Sequence, residues 1–315
     1  MTIKFIGEKE TLKMIDFSEI ELKDKERINN ALMHASEIGC MYCFGAQYLW
    51  QWSFGFKKAF VNGCFTALIK SDEGFCCMYP VGGDEKAAIE ALRQEASERN
   101  ETFALGYISD ANKEKLEEMF PGQFDFVYYR DSCDYVYRTK DLAALSGRKY
   151  HSKKNHVNHF VNSYHDWSVE DISRDNIEEC KALIREWFKE NEEKMAGRVQ
   201  LGELDAVLRS LDCFEELGFV GILLRVAGEP VALTAGEPMM CKICFCSHFE
   251  KALARAEGAY AFINMQFAKY IEEHFPEAIY INREEDLGIE GLRKAKESYR
   301  PAFLHSFYVA KSKKG

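Results

Sequence analysis

Apolar residues recur at helical spacing over Ala259–Phe275, where Tyr260, Ile263, Phe267, Ile271 and Phe275 fall on one face. Pro276 ends that run, because the residue before a proline avoids the helical region. Short continuous apolar runs flank it, Cys241–Glu250 before and Ala278–Asn282 after, and both read as strands. A strand, a crossover helix and a second strand predict a parallel pair. Ligands favour the crevice beyond the carboxyl ends of such strands. This places the Glu250–Gly258 loop beside the polar run Asn282-Arg-Glu-Glu-Asp286, which Leu287-Gly288 and a basic helix, Glu290–Tyr299, follow.

The same pattern orders the rest of the chain. Leu12–Ile20 is expected as a strand and Lys23–Ala35 as a helix. Cys40–Val61 is crowded with Tyr42, Phe44, Tyr48, Trp50, Trp52, Phe54, Phe56 and Phe60, a core in the first place and a pocket wall in the second. After an Asn62-Gly63 turn, Cys64–Lys70 and Phe75–Pro80 read as a hairpin. Asp84 is placed to cap a helix to Arg99. Phe103–Ile108 is a strand, Asn112–Phe120 a helix, and Phe124–Tyr129 and Tyr135–Arg138 are strands. Asp141 starts a short helical turn that Gly147 ends, and Ser152 is expected to cap a helix with Val157, Phe160, Val161 and Tyr164 on its apolar side. The second half runs as strand Trp167–Ile172, helices Asn176–Lys194 and Glu203–Leu217, hairpin Phe219–Val226 with Val231–Gly236, and a last strand Phe303–Ala310.

Length and charge narrow the picture. At 315 residues the chain suits about two domains. A hydrophobic fraction of 47% fills two cores, and a net charge of −10 argues against a broad nucleic-acid footprint while leaving room for one short phosphate contact. The start of the chain does not read as a signal peptide, and the longest apolar run, Phe219–Val226, is too short to span a bilayer. A cytoplasmic protein is expected, and the oligomeric state stays open. Eleven cysteines without an export signal suggest reduced thiols. Cys40-x-x-Cys43 and Cys241-x-x-Cys244 have a spacing that zinc sites use. In a strand, alternation turns Cys241 away from Cys244 and Cys246. The cysteines therefore read as small buried hydrophobes, and no metal is expected.

The order of elements resembles the GCN5-related N-acetyltransferase (GNAT) fold, and the first half follows a looser version of it. Asp134-Tyr-Val-Tyr137, Leu142 with Leu145-Ser-Gly147 through Asn155, and the long run Asn282–Pro301 resemble an uncharacterised bacterial family. That family is similar to the C-terminal catalytic domain of phosphatidylglycerol lysyltransferases. The resemblance implies an α/β (α+β) fold of two tandem GNAT-like domains, 1–148 and 149–315, each a mixed sheet flanked by helices. It implies an acyl- or aminoacyl-transferase acting on an amine or hydroxyl, with the donor site in the second domain. The donor would be coenzyme A or acyl-CoA, or charged tRNA in local contact with the chain; the acceptor would be a small molecule. The best-known relatives use a lipid acceptor and carry a long membrane half that this chain is expected to lack. A catalytically inert metabolite-binding module is the competing reading.

Acetyltransferases of this fold grip the donor's pyrophosphate in a Gln/Arg-x-x-Gly-x-Gly/Ala loop at a helix N-terminus, where unpaired N–H groups and the dipole favour anions. Arg255-Ala-Glu-Gly258-Ala259-Tyr260 matches the first two anchors and departs at the third. Amide formation needs a base and a stabilised oxyanion. Glu250 is the candidate base, with His248 as the reserve on the same side by alternation, and Tyr299 is the candidate acid. An ion pair of Glu250 with Lys251 or Arg255, and a core role for Tyr299, are the plainer alternatives. Arg283 would clamp a carboxylate or phosphate, Asn282 would stand beside it, and Glu284, Glu285 and Asp286 would hold a cationic amine. Arg148, Lys149, Lys153 and Lys154, with Asn155, crowd the positive end of a helix dipole, which suits an anion or acidic neighbours.

Overall fold

In the computed structural model, residues 14–35, 37–71, 74–195 and 202–313 are described. The first half holds α1 (Lys25–Leu32), α2 (Phe44–Phe54), β1 (Lys57–Val61), β2 (Cys64–Ile69), β3 (Phe75–Met78), α3 (Glu85–Glu98), β4 (Phe103–Ile108), α4 (Asp110–Met119), β5 (Phe124–Tyr128) and β6 (Asp134–Arg138). Then come α5 (Thr139–Ala144), α6 (His151–Ser163), β7 (Trp167–Asp171), α7 (Ile177–Met195), α8 (Glu203–Asp212) and α9 (Phe214–Leu217). The chain closes with β8 (Val220–Val226), β9 (Glu229–Pro238), β10 (Cys244–Ala252), α10 (Ala259–His274), β11 (Tyr280–Asn282), α11 (Glu290–Glu297), β12 (Phe303–His305) and β13 (Tyr308–Ser312).

Two mixed sheets form, ordered β1-β2-β3-β4-β13-β5 and β12-β6-β11-β10-β9-β8-β7. Each contains one parallel pair closed by a crossover helix, β3 with β4 around α3 and β10 with β11 around α10. The sheets interleave in sequence. β6, before residue 148, joins the second sheet, and β13, at the far end, sits inside the first.

The expected last strand, Phe303–Ala310, is therefore two strands in two sheets, broken at Ser306-Phe307. Nothing in its composition announces the break, because no glycine or proline marks it. Strand β10 begins at Cys244 rather than Cys241: Lys242 N–H donates to the Met239 carbonyl at 2.8 Å and Ile243 N–H to the Cys241 carbonyl at 2.8 Å, which closes a tight turn. Cys241 thus lies outside the strand, and the alternation argument does not apply to it. Ser152 does not cap α6; a 3₁₀ turn over Arg148–Tyr150 leads into that helix and Tyr150 stands at the cap position. Of the expected first strand, Leu12 and Lys13 lie outside the described residues, and the remainder makes one isolated bridge, Ser18 with Lys58. Asp84 does cap α3, accepting from Ala87 N–H at 3.0 Å.

One core joins the first sheet, α2, α7 and α8 to one face of the second sheet; the other lies between the opposite face of that sheet and α5, α6 and α10. The aromatic run is mostly core. Tyr42, Phe44 and Phe56 are buried, while Trp52 sits near the surface under the Arg209 guanidinium. All eleven cysteines are free thiols, ten buried and Cys241 half-buried. No helix among the described residues is long and apolar enough to cross a membrane.

Candidate functional site

Strands β10 and β11 pair only over Cys244–Cys246 against Tyr280–Asn282. Beyond that, β10 runs on to Ala252 with β9 as its partner. The chain after Asn282 instead follows β6: Arg283 N–H donates to the Tyr135 carbonyl at 3.0 Å, and the Glu284 carbonyl accepts from Tyr135 N–H at 3.0 Å. Glu284 takes φ +60° to make that departure. The parallel strands therefore part, and Glu250 and Arg283 reach each other across the gap.

Glu250 Oε1 accepts from Arg283 Nη2 at 3.1 Å, and its Oε2 accepts from Asn264 Nδ2, on α10, at 2.9 Å. Its ionic partner is thus Arg283 and not Lys251 or Arg255. Lys251 reaches Glu203 at 2.7 Å, and Arg255 is held by Glu186 and the Pro230 carbonyl. Burial opposes the Arg283 charge, but Glu250, Tyr137 and Tyr299 together outweigh it and raise the guanidinium's pKa. Arg283 also lies 4.8 Å from the Tyr299 ring centre and 5.6 Å from that of Tyr137. Tyr299 is buried; burial, then Glu250, push its phenol above the ordinary tyrosine range. Lys153 stands 4.1 Å above the same ring. Burial and the neighbouring Arg283 lower its pKa.

Three buried polar atoms around this pair have no hydrogen-bond partner among the described residues: Arg283 Nη1, Asn264 Oδ1 and Thr234 Oγ1. Thr234 is opposite Glu250 in the β9–β10 register, so both project to the same face. Buried polar atoms are ordinarily paired. The three unpaired atoms belong to side chains grouped around one carboxylate, since Arg283 and Asn264 both bond Glu250 and Thr234 lies opposite it.

His248 lies elsewhere. A bulge between Ser247 and Phe249 breaks the alternation, so the imidazole turns from Glu250 to the opposite face. There it stacks on Phe219 at 5.0 Å and bonds Glu237 at 3.0 Å and Glu284 at 2.9 Å. Burial opposes its charge, yet Cys246 and the two carboxylates outweigh burial and hold its pKa well above the ordinary value. Glu284 is therefore a partner of His248 and not free for an amine. Asn282 is wholly buried, donating to the Ile38 carbonyl at 2.7 Å and to Asp134 at 2.8 Å. Asp286 accepts from Tyr135 at 2.6 Å, Arg293 at 2.8 Å and Gly288 N–H at 2.9 Å. Although burial works against it, Arg293 and Tyr135 hold its carboxyl below the usual range. Burial, then Glu284 and Asp134, push Glu285 up to about 8. The acidic run thus locks the sheet's edge together, and Arg283 alone of Asn282–Asp286 turns to Glu250.

Two sulfur-containing groups gather nearby: Cys43, Cys246 and His248, and Cys40, Asp134 and Glu285. Cys40 and Cys43, adjacent in sequence spacing, fall into different groups. Both nitrogens of His248 already face carboxylates.

The loop before α10 has the expected conformation at its glycine. Gly258 takes φ +86°, and a Cβ there would lie 2.5 Å from the His156 carbonyl oxygen on α6. The first turn of a helix leaves N–H groups without intrahelical partners; Ala259 N–H goes to the Ala256 carbonyl at 3.0 Å. Tyr260, half-exposed, lines an open cleft of about 360 Å³ together with Gly258, Lys153, Trp187, Asn191 and Tyr299. Lys154 and Asn155 are exposed on the N-terminal turns of α6, and Arg148 is exposed on the 3₁₀ turn that precedes it. The sequence missed Asn264 and Thr234; the only signal available was their polarity at positions where helix and strand patterns call for apolar residues.

The pattern that defines the family described as phosphatidylglycerol lysyltransferase, C-terminal, matches residues 31–311. A conserved protein of unknown function from Bacteroides thetaiotaomicron VPI-5482 is 37% identical, with 95% of this chain and 100% of that chain covered and a TM-score of 0.87. L-PGS from Bacillus licheniformis shares the fold at 14% identity, with 96% of this chain and 95% of that chain covered and a TM-score of 0.68. The uncharacterized protein MYCGA3080 from Mycoplasmoides gallisepticum is 23% identical over 208 residues, 65% of this chain and 64% of that protein. The match thus spans just under two thirds of that curated relative's length. The architecture is tandem GNAT-like, with two mixed sheets flanked by helices.

Proposed function

This chain belongs to the phosphatidylglycerol lysyltransferase C-terminal family, and from that membership we propose that it moves an acyl or aminoacyl group to an amine or hydroxyl in the gap between β10 and β11. The observation that carries the reading is the Glu250–Arg283 pair, set among three unpartnered buried polar atoms where two parallel strands part.

In this reading Glu250 takes the acceptor's proton, held in place by Asn264 and Arg283. Arg283 Nη1 meets the negative charge that develops on the attacked carbonyl. The Tyr299 hydroxyl, kept protonated by its surroundings, returns a proton to the leaving oxygen or sulfur. The turn after Gly258 faces the donor's phosphate, and Tyr260 closes over the acyl end. His248, Asn282, Glu284, Glu285 and Asp286 act by positioning, through the segment that carries Arg283.

Two features favour a tRNA ester over a coenzyme A thioester. Arg255 is already engaged by Glu186 and the Pro230 carbonyl, and Tyr260 occupies the position where a thioester loop needs a small residue. Arg148, Lys154 and Asn155 would then meet the tRNA end. The domain division 1–148 and 149–315 stays a proposal, with the site in the second unit. A cytoplasmic location goes with either donor.

Incubation with radiolabelled aminoacyl-tRNA or acyl-CoA and an amine panel tests the reading. Transfer from the tRNA ester is expected, weakened by salt and by Lys154→Glu. A saturating donor at a hundred times its Kd adds about 2.7 kcal/mol, a rise of about 5–10 °C in melting temperature. Saturable binding with no transfer to any acceptor would favour the inert binding module instead.

A further inference from the structure

Three atoms of metal-binding type converge on the face of the second sheet opposite Glu250. The sulfurs of Cys43 and Cys246 and a ring nitrogen of His248 all lie within 4.8 Å of one another. Cys246 Sγ is 3.7 Å from His248 Nδ1. A tetrahedral zinc ion, with Zn–S about 2.3 Å and Zn–N about 2.0 Å, sets that edge at about 3.5 Å. The group is sealed from solvent: Cys43 is 2% exposed, Cys246 0% and the His248 side chain 2%.

The surroundings orient the imidazole for a metal. His248 Nε2–H donates to Glu237 Oε1 at 3.0 Å, and the same oxygen accepts from Gly45 N–H at 2.8 Å. Position 45 has to be glycine for this approach, since a Cβ would lie 2.4 Å from Glu237 Oε1. A carboxylate on one ring nitrogen fixes the tautomer that aims the lone pair of the other at a metal. That other nitrogen, Nδ1, lies 2.9 Å from Glu284 Oε1. Two acceptors so close need a proton or a metal ion between them. Glu284 thus stands as a fourth donor beside the two thiols and the imidazole. The neighbouring trio of Cys40, Asp134 and Glu285 lacks this order. It contains no histidine, and Asp134 Oδ2 is already taken by Cys40 N–H at 2.6 Å and Asn282 at 2.8 Å.

We propose that Cys43, Cys246, His248 Nδ1 and Glu284 form a closed structural site for a divalent metal of zinc type, with Glu237 holding the imidazole from behind. Thiolates and an imidazole select zinc over magnesium or calcium, which take oxygen ligands. Binding displaces a proton from each thiol and from Nδ1 to solvent. Four protein ligands leave no open position for substrate, so the role is structural. The ligands come from three parts of the chain: Cys43 is the cap residue of α2, Cys246 and His248 lie on β10, and Glu284 follows β11. The ion therefore ties the aromatic helix of the first half to the second sheet and fixes the segment that carries Arg283. Neither Cys-x-x-Cys pair supplies two of the ligands, which is why their spacing does not announce the site. The proposal does not rest on the transferase reading.

The experiment is metal analysis of the full chain expressed with added zinc, followed by refolding with cobalt as a spectroscopic probe. Zinc is expected at about one ion per chain. Cobalt should give thiolate-to-metal charge-transfer absorption together with the d–d bands of a tetrahedral site. Cys43→Ser and Cys246→Ser should each weaken the charge-transfer band, and the double variant should abolish it. Cys40→Ser and Cys241→Ser should leave it unchanged. Glu237→Gln should loosen cobalt by about 10–100-fold while keeping the band. If the cysteine variants fail to fold, the wild-type chain decides. Refolded with a chelator, it should melt at a lower temperature, and zinc but not magnesium should restore the loss. A chain that holds no zinc and gives no cobalt charge-transfer band would overturn the proposal. So would a band that survives the double variant, a band lost in Cys40→Ser or Cys241→Ser, or a melting temperature indifferent to chelator and zinc.

Discussion

Arg283 Nη2 donates to Glu250 Oε1 across 3.1 Å, tying the segment after β11 to β10 beyond the point where the two strands cease to pair. The side chains are 14% and 9% exposed, so solvent screens the pair little. Arg283→Met or Glu250→Gln leaves the other charge buried and should cost about 3–5 kcal/mol each, on the order of 10 °C in melting temperature. The double variant should lose clearly less than the sum, because neither charge then remains alone. Equal and additive losses in a melting series would show that the two side chains do not act as a pair. All three variants should lose transfer.

Tyr299→Phe isolates the hydroxyl, since the ring that carries Lys153 and Arg283 is kept. If the hydroxyl is the acid, kcat should fall by about 10²–10⁴, with KM nearly unchanged. Burial and Glu250 raise the Tyr299 pKa, so the acid form persists through the ordinary tyrosine value of about 10. The wild-type rate should therefore show no alkaline limb from this group below that pH. A rate unchanged in Tyr299→Phe would assign the residue to packing alone.

Much of this was legible in the sequence. The α10 periodicity, the strands either side of it and the Asp84 cap all rest on interactions within about ten residues, and they came out within a few residues of their observed limits. What escaped depends on distant partners. The split of the last strand follows from which sheet Phe303–His305 and Tyr308–Ser312 join, and no local feature of Ser306-Phe307 records it. The face of His248 turned on a single bulge, since one extra residue reverses every side chain beyond it. Glu250 finds its partner 33 residues away in Arg283, while the neighbours that spacing suggests, Lys251 and Arg255, are taken by Glu203 and Glu186.

Gly258 is constrained twice. Its φ of +86° disfavours any side chain, and a Cβ would lie 2.5 Å from a backbone oxygen of α6, which cannot swing aside. Gly258→Ala should cost about 1–3 kcal/mol from the backbone conformation alone, and more if α6 must shift. If the same turn meets the donor, as proposed, donor affinity should fall with stability. A melting temperature within a degree of wild type would mean that α6 and α10 are loosely packed.

Glu285 rises from an ordinary 4.5 to about 8, burial first and then Glu284 and Asp134. Between those values the folded chain keeps a proton that the unfolded chain releases. Stability from this group is complete below the lower value and is lost as pH climbs through the upper one, by at most about 1.4 kcal/mol per pH unit. Glu285→Gln has no such proton to hold. Its melting temperature should gain on wild type steadily from pH 5 to pH 8. A difference that stays flat over that range would mean that Glu285 is ionised in the folded chain.

The interleaving of the sheets makes a last, coarser prediction. A fragment of residues 1–148 has the composition of a domain, with its own helices and six of the strands. It lacks β13, which lies between β4 and β5, so both of those strands would present open edges. Its β6 would have no partner, because β11 and β12 are the strands that flank it. The fragment also loses α7 and α8, which complete the core around Phe44 and Leu49. It should therefore show no cooperative thermal transition and should aggregate on heating, whereas the full chain melts cooperatively. Adding a peptide covering Tyr308–Ser312 is expected to restore little, because the buried face of α2 would still be bare. A cooperative melt from the 1–148 fragment would establish it as an independent folding unit and make the strand exchange an accessory of the fold.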